Sequence, residues 1–256
     1  MKNVLKGTKT QLIEFTPTGA APTNNPLELE HLQDPKPAKF HLPEWYKKAT
    51  LFEGKNKINP EVDTYLPHLG FKTCMSFFDG LTLGYMISTE QDIWLLADPD
   101  QPSDGESGKA KVHWNGVNQP VEVRDTSTNA TLPIPLGCAD SHLAWKVQWG
   151  VNLPKGYSAL YTHPINRFDL PFITLTGVMD DGFISGGNVP FFMKKNFYGL
   201  IPAGTPILQV IPFKRESWTS RVNRELLALS NVQRQRARSV HRGWYKKNIW
   251  KKKRFD

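Results

Sequence analysis

From Lys72 to Pro212 the apolar positions come in short runs, closed off by Gly, Pro, Asp and Asn. β-Branched and aromatic residues crowd these runs, the pattern of strands separated by turns rather than of a helical bundle. The predicted strands are Lys72–Phe78, Thr82–Ser88, Asp92–Leu96, Lys111–Asn115, Pro120–Arg124, Ala144–Trp149, Tyr157–Thr162, Phe172–Val178, Val189–Met193 and Pro206–Pro212. Residues 98–108, rich in Asp, Gly, Ser and Pro, predict a polar hairpin loop. The period changes after Glu216. Trp218, Val222, Leu226, Leu229 and Val232 recur three or four positions apart, which predicts one apolar helix stripe, while Arg221, Arg224, Arg234, Arg236 and Arg238 mostly fall off it. The stripe is expected to dock on the β body or on a partner. It thins beyond Val232, so the final residues are expected to order on binding. At the other end, Pro17, Pro22, Pro26, Pro35, Pro37 and Pro43 exclude a long helix or a central strand. They leave an extended arm with one early strand, Thr10–Phe15, and a short helix starting near Pro43. The expected organisation is a Pro-rich N-terminal arm over 1–44, a mainly β, antiparallel sandwich over 45–213, and a basic amphipathic helix and tail over 214–256.

Composition sharpens this reading. Among 256 residues, Pro and Gly number 39 and the aromatics 29, which suits many short strands joined by turns. No apolar run is long enough to cross a membrane, and the first residues lack the apolar core of a secretory signal. Two cysteines, Cys74 and Cys138, can build neither a disulfide framework nor a four-thiolate zinc site and read as reduced thiols. The net charge of +8 is uneven: residues 214–256 hold fourteen Lys/Arg against three Asp/Glu, and the other residues eighteen against twenty-one. The basic end interleaves aromatics with cations, a pattern that stacks on bases and phosphates, lies on an anionic membrane surface, or packs on an acidic neighbouring subunit. The candidate contacts are Arg234, Arg236, Arg238, Arg242, Trp244, Lys246, Lys247, Trp250, Lys251, Lys252, Lys253 and Arg254.

Motifs for common chemistries are missing from the sequence. Gly105-Glu-Ser-Gly-Lys109 lacks the spacing and the hydroxyl of a Walker loop, and there is no zinc-protease pair, nucleophile elbow, dinucleotide fingerprint or kinase signature. The seven histidines are scattered; His142 and His163 flank predicted strands, but no carboxylate stands at a telling spacing, so no metal site is expected. His163, beside Pro164, reads as a turn residue.

One stretch carries a resemblance. Leu153-Pro-Lys-Gly-Tyr-Ser-Ala-Leu160, Gly177-Val-Met-Asp-Asp-Gly-Phe183 and Gly204-Thr-Pro-Ile-Leu-Gln-Val210 follow one another in an order that resembles the core of the dUTPase and dCTP deaminase superfamily. The resemblance implies a β-clip (dUTPase-like) body. It also implies Asp180 at the position of the carboxylate that orients the attacking water, Phe183 near the base-stacking aromatic and Gln209 in the last motif. Asn166 and Arg167 would be the only donors for a triphosphate, and magnesium would be the cofactor. The phosphate-binding Arg-Ser-Gly of that superfamily is replaced here by Thr162-His-Pro-Ile-Asn-Arg-Phe168, and its Gly-rich arm by the basic helix. Without that company, Asp180-Asp-Gly182 reads as a hairpin turn and Asp180 as a structural acceptor. A longer resemblance, carried by Leu42-Pro-Glu-Trp-Tyr46, Cys74-Met-Ser-Phe-Phe-Asp-Gly80, Tyr157-Ser-Ala-Leu-Tyr-Thr-His-Pro164 and residues 201–215, is to an uncharacterised family of tailed-phage proteins, especially from marine phages. It implies a viral source and no assigned reaction.

The expectation is therefore a non-enzymatic virion structural or assembly protein, without a cofactor. It would act as a homo-oligomer or beside other virion proteins, in the virion or host cytoplasm, with arms on neighbouring subunits or packaged nucleic acid. A dUTPase-like hydrolase using magnesium, and an intracellular nucleic-acid-binding phage protein, stand as alternatives.

Overall fold

The computed structural model describes residues 10–18, 32–53, 68–96, 111–116, 118–124, 131–195, 197–238 and 243–256. In chain order the first strands are β1 (Glu14–Pro17), β2 (Lys36–Pro37), β3 (Phe52–Glu53), β4 (His68–Leu69), β5 (Tyr85–Ser88), β6 (Ile93–Leu96), β7 (Lys111–Trp114) and β8 (Val121–Val123). They are followed by β9 (Cys138–Lys146), β10 (Trp149–Asn152), β11 (Tyr157–Thr162), β12 (Phe172–Thr174), β13 (Gly177–Asp180), β14 (Asn188–Lys194), β15 (Tyr198–Ile201) and β16 (Pro206–Lys214). Among the described residues the α-helices are α1 (Glu44–Lys48), α2 (Met75–Thr82), α3 (Leu227–Arg238) and α4 (Trp244–Asn248). The chain is thus mainly β, with antiparallel pairing and a C-terminal helix.

Two compact units divide these elements: Met1–Lys36 with Gly84–Arg215, and Pro37–Leu83 with Glu216–Asp256. The first is the β body. Its larger sheet runs β13-β11-β16-β5-β2, with the two-residue β2 at the unit's margin, and a second runs β12-β14-β9-β8. The triplet β15-β6-β7 and the pair β1-β10 complete it. One core joins the sheets: Ile87, Ala159, Tyr161, Leu208 and Val210 from the larger, Leu143, Trp145, Phe172, Phe191 and Met193 from the second, and Ile93, Leu95 and Ile201 from the triplet. At its centre Trp145 stacks on Phe191, ring centroids 3.8 Å apart at 8°, and meets Phe172 edge-on. The indole Nε1–H donates to Thr174 Oγ1 (3.1 Å), whose hydroxyl in turn donates to Ile207 O (2.8 Å), so the buried polar atoms there are satisfied. Strand β16 is buried along Pro206–Ile211, with both its edges paired, to β11 and β5, in the middle of its sheet. Gly84 is required beside it: its φ is +70°, and a Cβ would sit 2.1 Å from Val210 O.

The second unit is built on aromatic packing. Tyr46 of α1 stacks near Phe77 and Phe78 of α2 at 6.2 and 6.3 Å, and Phe71 lies 5.4 Å from Phe77. Lys72 Nζ donates to Lys47 O and Ala49 O (2.8 and 3.1 Å), tying the end of α1 to the turn before α2.

Several expectations change. Lys72–Phe78 is a 3-10 turn (Phe71–Thr73) leading into α2, not a strand. Phe77, Phe78 and Leu81 have helical spacing, and seven residues were too few to separate the two periods. The predicted strand Phe172–Val178 divides: β12 belongs to the second sheet and β13 to the larger, with Thr176 Oγ1 bonded to Thr162 Oγ1 (2.9 Å) at the crossing. Because β14 lies in the second sheet, the turn at Asp181-Gly182 joins no paired strands and is no hairpin; Gly182, at φ +88°, supplies its positive dihedral. The early strand is Glu14–Pro17, paired with β10, rather than Thr10–Phe15. Strand β15, interrupted in pattern by Gly199, was not predicted. The helix expected from Glu216 begins at Arg224 with a 3-10 turn, because the Asn223 side chain accepts from Glu225 N (3.0 Å) and caps it there. The final residues already have partners within the chain. The predicted loop at 98–108 lies outside the described residues.

Candidate functional site

The residues proposed for nucleotide chemistry all fall in the β body but form two groups. Asp180 ends β13, opposite Ser158 of β11 in register. Ser158 Oγ donates to Asp180 Oδ1 (2.6 Å), and the Arg215 guanidinium pairs with both Asp180 Oδ1 (3.1 Å) and Asp181 Oδ1. Gly156 N–H donates to Asp181 Oδ2 (3.1 Å). The Ser158 hydroxyl first, then Arg215, hold the Asp180 carboxyl below the usual carboxylate range; Arg215 and the Gly156 amide do the same for Asp181. A general base works best with a pKa near the operating pH, and Asp180 is instead a fixed anion committed to a cation. Phe183 is half exposed in the segment that follows.

Gln209, Asn166 and Arg167 gather at the other end of β11. Gln209, fully buried on β16, accepts Ile165 N–H on its Oε1 (2.8 Å). Asn166 takes the left-handed φ of 61° that the turn from Pro164 to Arg167 needs. Arg167 is buried and forks onto Asp169 through Nε and Nη2, both 2.9 Å. His163 locks the turn: Nδ1 accepts Thr174 N–H (3.3 Å), which leaves Nε2 to donate to Arg167 O (3.1 Å). Burial, the largest influence, lowers the His163 pKa. Thr162 faces Gln209 and Ser158 faces Phe213 across β11 and β16. The two groups are therefore separated by four residues of strand, roughly 13 Å at ~3.3 Å per residue. Within one chain the structure does not bring Asp180 and Phe183 to Asn166, Arg167 and Gln209. Among the described residues no group of three or more His, Cys, Asp or Glu is placed to hold a metal.

The basic candidates lie in the second unit. Arg234 and Arg236 are exposed on α3, Arg238 ends that helix, and Arg242 lies outside the described residues. Trp244 opens α4 half-buried, with Lys246 and Lys247 exposed on it, and Lys251, Lys252 and Arg254 are exposed beyond it. Trp250 and Lys253 converge on one acid: Trp250 Nε1–H donates to Asp79 Oδ1 and Oδ2 (3.1 and 2.9 Å), and Lys253 Nζ bonds Asp79 Oδ2 (2.5 Å). Lys39 Nζ holds Asp256 Oδ1 (2.6 Å) and Phe255 O (2.8 Å). Around these contacts lies an open cleft of about 340 Å³, lined by Lys39, Asp79, Lys252, Lys253, Arg254 and the Trp250 ring, among others. Sequence reasoning missed Asp79, Lys39, Arg215 and Ser158. No local pattern joins Asp79 to a tryptophan 171 positions away.

The apolar side chains between Trp218 and Leu229 are uncovered within the chain. Trp218 is 84% exposed and Val222 85%, while Leu226, Leu227 and Leu229 are more than half exposed. No helix among the described residues is long and apolar enough to cross a membrane.

No protein-family model matches the chain, and no curated protein matches it. Among solved structures it is similar to a mutant dUTPase from phage phi11 of S. aureus, a protein that coordinates a structural Mg(II) ion. The identity is 15%, the TM-score 0.25, and the match covers 41% of this chain and 96% of that one. A likeness at that level carries no argument about activity.

Proposed function

We propose that this chain is a non-enzymatic phage protein, a virion structural or assembly component whose β body carries a basic arm that docks on neighbouring subunits or packaged nucleic acid. The observation that supports the reading is the exposure of four large apolar side chains, Trp218 and Val222 before the C-terminal helix and Leu226 and Leu229 within its first turns, on a segment rich in arginine. Large apolar side chains left in solvent in such number over a short segment suit an interaction surface. The hydrolase alternative lacks equivalent support, since Asp180 is paired with Arg215 and stands away from Asn166, Arg167 and Gln209. General-base help alone contributes about 10²–10⁴ in rate, and the larger share of such catalysis comes from positioned charge at the reacting group. Incubation with dUTP or dCTP and magnesium is therefore expected to release no pyrophosphate. Robust magnesium-dependent turnover, abolished in Asp180→Asn, would replace this reading with the hydrolase.

A further inference from the structure

We infer that the cleft bounded by Lys39, Lys252, Lys253, Arg254 and Trp250 is a binding site for the phosphodiester backbone of single-stranded nucleic acid, with one of its cations taken by the chain's own Asp256. The inference deepens the reading of the arm as a nucleic-acid contact and names where on it the contact lies.

The unit that contains the cleft is strongly cationic as a whole. Of the 32 Lys/Arg, 18 lie in residues 37–83 and 216–256, with 8 of the 24 Asp/Glu, a net charge of +10; the β body has 14 and 16, a net charge of −2. The cleft gathers cations that lie far apart in sequence. Asp79, only 16% exposed, uses both oxygens on Trp250 and Lys253 and so fixes the tail against α2. That leaves Lys252 and Arg254 exposed on the cleft lining with Lys39.

An anion already occupies this place. The Asp256 carboxylate sits on Lys39, and the charges of Arg254 and Lys252 add to that hydrogen bond in holding its carboxyl below the usual range. Its side chain is 82% exposed, so the pair faces solvent and is readily exchanged. A phosphate presents the same oxygens with the same charge sign, and a polymer of phosphates engages several cations together and releases their counterions. The Trp250 and Phe255 rings line the same cleft, and Lys253 lies 5.7 Å over the Trp250 ring. Aromatic rings among cations are what an unpaired base stacks on, which favours a single strand over a duplex.

The test is fluorescence anisotropy of a short labelled oligothymidylate with the full-length chain, over a salt series. Lys252→Gln with Arg254→Gln is expected to weaken binding by about tenfold or more and to flatten the log–log salt slope by about 1.4, two contacts at ~0.7 each. Lys155→Gln with Lys195→Gln removes the same charge from exposed positions of the β body and is expected to leave the slope unchanged. Asp256→Asn is expected to tighten binding severalfold by removing the competing anion from Lys39, and Glu225→Gln is not. Equal losses in the two double variants, no gain in Asp256→Asn, or no binding by the parent chain would overturn the inference. So would displacement of the oligonucleotide by a polyglutamate of matched charge, which would assign the cleft to an acidic protein segment. None of these failures bears on whether the chain is a particle component, which copy number in particles decides.

Discussion

Glu90 shows how a single side chain sets a measurable property of the β body. With Ser88, Gln91 and Gln148 it lines a small cavity next to Trp145, and Ser88 Oγ has no partner there among the described residues. Burial pushes the Glu90 carboxyl from 4.5 up to about 7. The fold therefore favours the protonated acid. That contribution is complete below about pH 4.5 and is lost as the pH rises through about 7. Glu90→Gln, neutral at every pH, is expected to melt a few degrees above the parent at pH 8 and close to it at pH 5; about 1 kcal/mol moves Tm by ~2–4 °C in chains near this size. An equal offset at both pH values would show that the carboxyl stays ionised. Asp180 has the opposite sign. Its lowered pKa means that the stabilisation from Ser158 and Arg215 is present above about 3.8 and lost as the pH falls through the folded value.

Among the elements, the core and the C-terminal helix differ in what they contribute to the chain by itself. Trp145 is fully buried, and Trp145→Ala is expected to cost about 3–5 kcal/mol in denaturant unfolding. Leu226 is 54% exposed, so Leu226→Asp is expected to leave the melting of the isolated chain unchanged and to lower the mass of any assembly. A large drop in Tm would show that the stripe packs within the chain. The same contrast explains what the sequence made legible. Strands such as Tyr157–Thr162 and Ile93–Leu96 were readable because turn residues bound them and β-branched or aromatic residues fill them. Helix α2 was not, because its few residues fit both periods and packing on Tyr46 decides between them. The C-terminal helix was legible from Leu226, Leu229 and Val232, but Trp218 and Val222, read as part of the same stripe, precede it, because the Asn223 cap starts the helix at Arg224. The candidate sites were legible as residue types only. Arg215 on Asp180, and Asp79 on Trp250, are long-range pairings that no local spacing encodes.

At the scale of the molecule, charge and architecture divide along the same line. The β body is close to neutral, at −2, and the unit made of residues 37–83 and 216–256 carries +10. The proposed role draws on this cationic unit and its uncovered apolar side chains, features suited to holding partners. That role is to be a component of a phage particle, and its most direct test is quantitative mass spectrometry of purified particles. The account predicts the chain in every preparation, at many copies per particle and at a fixed ratio to the other virion proteins. Its absence from particles, with the chain abundant in the infected-cell lysate, would contradict the account.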